Sequence, residues 1–327
     1  MTKSRQNQLS SLRVLVLAGG HSAEREVSLR SGHRVTAALR DRGHQVIVSD
    51  PVEESPDSIL RQKFDIVFPM LHGTGGEDGA LQSHLERLGI PFCGSSAASS
   101  ALTFDKARTR DVLQRNGLPI AAGLAFDRIA DRRCLESAAE TLGYPLVVKP
   151  AAQGSSVGIS LVRSAESLQS AVREAYRWGR KIIFEKYIAG REITVPVISG
   201  IVFPTIEIRP RREWFDYEAK YSDESTQYIV NPPDLPAHLN EICLKACQVC
   251  GVSGICRVDL RLDHAGNLFI LEINTIPGMT DHSLVPMSAE ATGLSLGELC
   301  EQQLMEVLQK YSTCNESAGS NQNAIAA

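Results

Sequence analysis

The stretch LEINTIPGMT, residues 271–280, follows a run of Leu, Phe and Ile at 268–271 that reads as a β-strand heading for the core. This strand carries Glu272 and Asn274, an acid and a carboxamide two residues apart. Side chains alternate across a strand, so Glu272 and Asn274 share one face while Leu271 and Ile273 take the other. The preceding run, RVDLRLD at 257–263, places Arg257, Asp259 and Arg261 on one face in the same way. DHAGN at 263–267 is a tight connection, so the two strands are expected to pair as a hairpin. Two carboxylates and a carboxamide then meet on one surface. An unpaired buried carboxylate costs several kcal/mol, so something positive must compensate. One candidate is Arg257, in a structural ion pair. The other is a hard divalent cation, because Asp, Glu and Asn oxygens with no His or Cys suit Mg²⁺. Mg²⁺ binds phosphate oxygens as well, so the metal reading calls for a nucleotide site elsewhere in the chain.

QGSSVG at 153–158 is a small-residue loop between two apolar runs, and its backbone N–H groups can approach phosphates with little side chain in the way. It lacks the GK[ST] of a Walker A loop. Lys149, just upstream in VVKP, can reach a phosphate as a point charge. The bland alternative is an ordinary hairpin with a surface lysine. GGHSAEREVS at 19–28 is a second strand–glycine–helix turn, and such a turn can also be purely structural.

The 327 residues suit two or three domains, and a charged content of 22% is that of an ordinary globular protein. A net charge of −4 offers no basic footprint, so nucleic acid is excluded as the expected partner. The apolar run Val14 to Ala18 is too short for a signal peptide and ends in Gly19 and Gly20. No run is long enough to span a bilayer, and the reading is a cytoplasmic protein with no membrane partner. From residue 1 to 94, strands alternate with helices (a helix over 24–39, others at 59–64 and 80–88, and a short strand in IPFCG at 90–94), which predicts a doubly wound parallel sheet. Residues 95–190 read as helices followed by a hairpin over a small α+β unit, and residues 191–313 as a further set of strands. The fold class is therefore α/β and α+β. A long polar stretch at 209–228 suggests a lid, and the polar tail at 314–327 is expected to be disordered.

Cys243, Cys247 and Cys250 show a C-x3-C-x2-C spacing that matches the iron–sulfur motif of radical enzymes. Offsets of four and seven also put them on one face of a helix, where reduced Cys acts as a small core hydrophobe. The core reading is preferred, because short motifs of this kind have low specificity.

Taken together, HSAEREVS, LHGTGGEDGALQ, ALTFDKA, LVVKPAAQGSSVGIS, FEKYIAGREITV, DYEAKY, GICRVDL and LEINTIPGMTDHSLVP resemble the ATP-grasp superfamily, and within it the D-alanine–D-alanine ligases. They run in the family's order over nearly the whole chain. The resemblance implies a three-domain ATP-grasp architecture with a Rossmann-like N-terminal domain. It also implies ATP-dependent ligation of two D-alanines through an acylphosphate, for peptidoglycan, by a homodimer. By position it implies that Asp259, Glu272 and Asn274 hold two Mg²⁺ (or Mn²⁺) ions. Lys106, Lys149 and Lys220 would contact phosphates under the loop that carries Ser155 and Ser156. Glu185, Lys186, Tyr187, Ile188 and Glu192 would line the adenosine pocket. Glu24 would bind the first D-alanine's ammonium in a network with Ser155 and Tyr221. Ser283 would hold the second D-alanine's carboxylate, with His72 beside the substrates, and Arg257 and the Gly278 N–H would face the oxyanion. Ile276 and Gln153 depart from residues common in relatives. Ligases that accept D-lactate or D-serine second are the nearest rivals, and Tyr221 favours the dipeptide.

Overall fold

The computed structural model describes residues 11–128, 130–210 and 225–323. β1 (Arg13–Leu17), β2 (Gln45–Ser49) and β3 (Ile66–Pro69) form a parallel sheet in the order β2-β1-β3. Alternation along β1 sends Val14 and Val16 to one face and Leu15 and Leu17 to the other, and both faces are buried. The first face is covered by α1 (Arg25–Asp41) and by α10 (Leu296–Asn323) from the far end of the chain: Val35 and Leu39 pack with Leu299, Leu304 and Val307. The second face packs Ile59 of α2 (Pro56–Arg61) and Leu85 of α3 (Ala80–Arg87). The expected fourth strand at 90–94 is a single parallel bridge, Val67 to Phe92. Pro91 accepts from the Val67 N–H but has no N–H of its own to extend the ladder.

The helical stretch after residue 95 is two helices, α4 (Ala97–Phe104) and α5 (Lys106–Arg115), broken at Asp105. The Asp105 carboxylate accepts from the N–H groups of Ala107 and Arg108, which caps α5 and fixes Lys106 as its first residue. β4 (Gly123–Asp127), β5 (Leu146–Pro150), β6 (Ser160–Val162) and β7 (Lys181–Lys186) form an antiparallel sheet in the order β4-β7-β5-β6. α6 (Arg132–Leu142) and α7 (Ala165–Arg177) cover it, around Phe184, Ile182 and Leu168. The predicted hairpin around QGSSVG is the β5–β6 pair.

β8 (Gly190–Ile198), β9 (Ile201–Val202), β10 (Ile206–Arg209), β11 (Gln227–Val230), β12 (Ile255–Asp263) and β13 (Leu268–Asn274) make the third sheet, in the order β11-β10-β8-β12-β13 with β9 on β8. Most of the polar stretch at 209–228, with Lys220 and Tyr221, lies outside the described residues. α8 (Leu239–Val249) packs Cys243 and Cys247 into the core beneath β8 and β12, with Cys250 ending the helix. Burial pushes the Cys250 thiol up to about 11 and the Cys243 thiol higher still. Cys243, Cys247 and Cys250 are thus buried side chains of one helical core face, as the core reading expects. The tail differs from expectation, since α10 continues to Asn323. Its packed first turns supply the nucleus, so polar residues can be added to the helix at little cost.

α9 (Leu284–Glu290) follows the NTIPGMT loop. Ile276 of that loop is buried in the core, away from the polar face. No helix among the described residues is long and apolar enough to cross a membrane.

α1 approaches the first sheet closely because Gly32 has no side chain: a Cβ there would sit 2.3 Å from the Ala18 Cβ. Gly32→Val should destabilise the protein by about 1–3 kcal/mol through overpacking, measured by denaturant unfolding. Because Glu24 directly precedes α1, activity should fall more than stability alone explains.

Candidate active site

The β12–β13 hairpin pairs Asp259 directly opposite Glu272, and Arg257 opposite Asn274. One detail departs from simple alternation. A bulge between Asp259 and Leu260 inserts Leu271, so Leu260 pairs with Ile270 while Asp259 pairs with Glu272. Leu268 and Ile270 enter the core, and without the extra residue alternation would bury Glu272 with them. The bulge turns Glu272 and Asn274 to the polar face. It also leaves Leu271 lining a cavity rather than facing the opposite side as expected.

Each of the two acids has a cationic side chain beside it: the expected Arg257 on Asp259, and on Glu272 a lysine not foreseen in that role. Arg257 grips Asp259 with two hydrogen bonds, Nε to Oδ1 at 2.8 Å and Nη2 to Oδ2 at 2.7 Å, and Thr194 donates to the same carboxylate. Lys106 Nζ lies 2.9 Å from Glu272 Oε2 and donates to the Gln153 carbonyl at 2.6 Å. Burial alone would lower the Lys106 pKa, but Glu272, with Glu77 and Glu24 further off, holds it above its ordinary value. Asn274 Oδ1 accepts from the Ile276 N–H. Among the described residues no cluster of three His, Cys, Asp or Glu side chains forms a ready metal site. The third oxygen donor of this set is the Asn274 carboxamide, and the set consists wholly of hard oxygens, as Mg²⁺ prefers.

Two cavities meet at these residues. The larger, of about 570 Å³, contains Glu24, His72, Ser155, Arg257, Gly278 and Ser283. The smaller, of about 90 Å³, contains Lys149, Ser156, Glu185, Lys186, Tyr187 and Ile188. Lys106, Glu192, Asp259 and Glu272 line both. The structure thus brings together every described residue that the family resemblance assigned to the site.

In the smaller cavity Lys149 Nζ is 2.5 Å from Glu185 Oε2, and Arg110 pairs with the other oxygen of the same carboxylate. In the larger one, Glu24 at the start of α1 accepts from the Ser155 hydroxyl of the glycine-rich loop. The loop comes this close because residue 154 is glycine; a Cβ there would lie 2.3 Å from Glu24 Oε2. Ser155 and Ser156 both have positive φ, 48° and 59°, a conformation that costs energy for a non-glycine residue. Ser283 precedes α9 but does not cap it. Its Oγ accepts from the Thr280 N–H at 2.8 Å and lies against Gly278. His72 is fully enclosed, and burial pushes it down to about 4, so the imidazole is neutral.

A family model described as "D-ala D-ala ligase C-terminus" matches residues 112–306, and one described as "D-ala D-ala ligase N-terminus" matches residues 49–95. The D-alanine--D-alanine ligase B of Chromobacterium violaceum is 43% identical over 291 residues, 88% of this chain and 95% of that protein. This chain belongs to the D-alanine–D-alanine ligase family. A D-alanine--D-alanine ligase of Neisseria meningitidis is 42% identical over 292 residues, 88% of this chain and 95% of that protein. Among solved structures, the D-alanine--D-alanine ligase of Bacillus anthracis superposes with a TM-score of 0.82 at 34% identity, covering 93% of this chain and 99% of that one. A D-alanine--D-alanine ligase from Bacillus anthracis complexed with ATP gives a TM-score of 0.79 at 30% identity, covering 93% of this chain and 99% of that one. The VanG D-Ala:D-Ser ligase of Enterococcus faecalis gives 0.78 at 28% identity, covering 90% of this chain and 99% of that one. The fold is thereby that of the ATP-grasp ligases.

Residues that sequence reasoning passed over are also here. Arg110 lies one helical turn beyond Lys106 on α5, an i, i+4 signal that was available. Glu77 stands inside LHGTGGEDG, but nothing in the sequence shows that it is buried beside Glu24 and Lys106. Its carboxylate accepts from the Gly73 N–H at 2.7 Å. Burial first, then Glu24, raise its pKa from 4.5 to about 8. The folded protein therefore holds a proton at Glu77 that the unfolded chain releases above pH 4.5. The stability this group contributes is complete at low pH and is lost as pH rises through about 8. Glu77→Gln should remove that slope. Thermal unfolding in chelator, from about pH 6 to about pH 9, should show the variant gaining on the parent as pH rises.

Proposed function

We propose that the chain is an ATP-dependent ligase that joins two D-alanines through D-alanyl phosphate, supplying D-alanyl-D-alanine for peptidoglycan. The observation that carries this reading is the meeting of two cavities at Lys106, Glu192, Asp259 and Glu272. A nucleotide in one and a carboxylate substrate in the other would share only that junction, which is where a phosphoryl group would pass between them.

ATP binds with its adenine at the smaller cavity and its phosphates at the junction, with the backbone of Lys186 to Ile188 facing the base, Glu185 behind it and the Glu192 carboxylate accepting from the ribose hydroxyls. Lys106 and Lys149 neutralise phosphate charge, with Lys220 expected to join them, and the N–H groups around Ser155 and Ser156 approach the phosphates. Asp259, Glu272 and Asn274 would hold Mg²⁺ or Mn²⁺. When bound, such ions would neutralise the charge that builds on the transferred phosphoryl group.

The first D-alanine's ammonium pairs with Glu24, and its carboxylate oxygen attacks the γ-phosphorus as ADP leaves. A neutral His72 adds no charge to repel an amino acid's ammonium. The second D-alanine is held through its carboxylate by Ser283. Its deprotonated amine nitrogen attacks the acylphosphate carbon, Arg257 and the Gly278 N–H face the resulting oxyanion, and the C–O bond to phosphate breaks as the amide forms, the departing phosphate taking the proton that the nitrogen sheds. Tyr221, in the expected lid, would complete the Glu24–Ser155 network.

A D-serine acceptor is the second reading, favoured by the likeness to the VanG ligase. Phosphate release from Mg-ATP with D-alanine alone, with D-alanine plus D-serine or D-lactate, and with L-alanine decides between them, with products weighed by mass spectrometry. The expected result is release with D-alanine alone and a D-alanyl-D-alanine product. Release only with a second acceptor would move the assignment to that acceptor. Arg257→Ala should lower kcat by about 10²–10³-fold while ATP still binds.

A further inference from the structure

Arg257, Asp259 and Arg261 point to the same face of β12. The first two have their roles at the junction. The third is partly buried at the opposite end of that face, where it lines the smaller cavity. Its three guanidinium nitrogens are all engaged. Nε donates to the Ile188 carbonyl at 3.1 Å, Nη2 to the Gly190 carbonyl at 3.0 Å, and Nη1 to Glu192 Oε2 at 3.1 Å. The guanidinium carbon also lies 5.8 Å from the centre of the Tyr187 ring, within cation–π range.

These four partners are successive parts of one segment. Residues 187–189 connect β7, the end of a strand in the four-stranded sheet, to β8, the start of one in the six-stranded sheet. Backbone pairing holds this connector at its ends, through the Tyr187 N–H to the Pro145 carbonyl on one side and Gly190 opposite Asp263 on the other. Arg261 and Glu192 are directly paired across β12 and β8, so the guanidinium is anchored to one sheet and reaches the link to the other. Tyr187, Ile188 and Glu192 turn their remaining surfaces to the cavity.

We infer that Arg261 is a positioning residue for the nucleotide: it fixes the connector that faces adenine and aims the Glu192 carboxylate at the ribose. The inference rests on the proposed ATP site. A planar fork is required, because a lysine ammonium is a single point that cannot span three acceptors in a fixed plane.

The test uses the full-length protein. ATP and adenosine binding to the parent are measured first by calorimetry, followed by kcat and KM for ATP, 2′-deoxy-ATP and D-alanine. Arg261→Met keeps the apolar stem and removes the donors. It should raise KM for ATP about tenfold, the worth of one charge-assisted hydrogen bond, with kcat and KM for D-alanine little changed. The preference for ATP over 2′-deoxy-ATP should collapse toward one, which a purely structural brace would not produce. Arg261→Lys should not restore the preference. If Arg261→Met fails to fold, Glu192→Gln leaves the guanidinium in place and should lose the same preference with adenosine still bound. An unchanged ATP KM and an unchanged preference in Arg261→Met overturn the inference alone, as does a retained preference in Glu192→Gln. A parent that binds neither ATP nor adenosine overturns the nucleotide reading, and this inference with it.

Discussion

Asp259 and Glu272 face each other across two paired strands, and two carboxylates so placed repel unless cations lie between or beside them. Much of the molecule is arranged around that demand. Arg257 comes from the same strand as Asp259, so one acid is neutralised within the hairpin itself. Lys106 comes from the first turn of α5, so neutralising the other acid docks a helix and, through the Gln153 carbonyl, the glycine-rich loop onto the third sheet. Removing Arg257 would leave the buried Asp259 carboxylate without its ion pair, a loss of several kcal/mol. The same crowding of acids prepares the site for further positive charge.

The acids reach beyond the hairpin. Glu24 and Glu77 come from the N-terminal parallel sheet and its loops, and both influence Lys106. Glu77 takes up a proton because burial and Glu24 leave it no better choice, whereas Glu272 has Lys106 in direct contact. Two carboxyl groups in one cavity thus have different neighbours, and only one of them has a lysine in contact. The Glu24–Ser155 contact then ties α1 to the glycine-rich loop, so the parallel sheet contributes a wall of the substrate cavity.

A bulge of one residue decides whether this arrangement exists. β13 must bury Leu268 and Ile270 and yet present Glu272 and Asn274. An unbroken period of two cannot satisfy both, and the extra residue at Leu271 reconciles them. Alternation read from the sequence paired the polar residues correctly with one another but placed Leu271 on the wrong face, because a bulge leaves no mark in composition.

The sequence by itself determined the strands and helices, the hairpin joined by DHAGN, the glycine-rich loop between β5 and β6, and the cysteine face of α8. Each is set by hydrophobic period, turn chemistry or a short connection, which are local properties of the chain. It also carried the family motifs, and with them the residues that line both cavities. Only the tertiary structure decided that α10 completes the core of a three-stranded sheet formed at the other end of the chain, and so continues as a helix into the polar tail. Only it placed Glu77 beside Glu24, and Arg261 against the connector at 187–189 and the start of β8. These contacts join residues far apart in sequence, and their worth depends on burial and neighbouring charge, which no local pattern encodes.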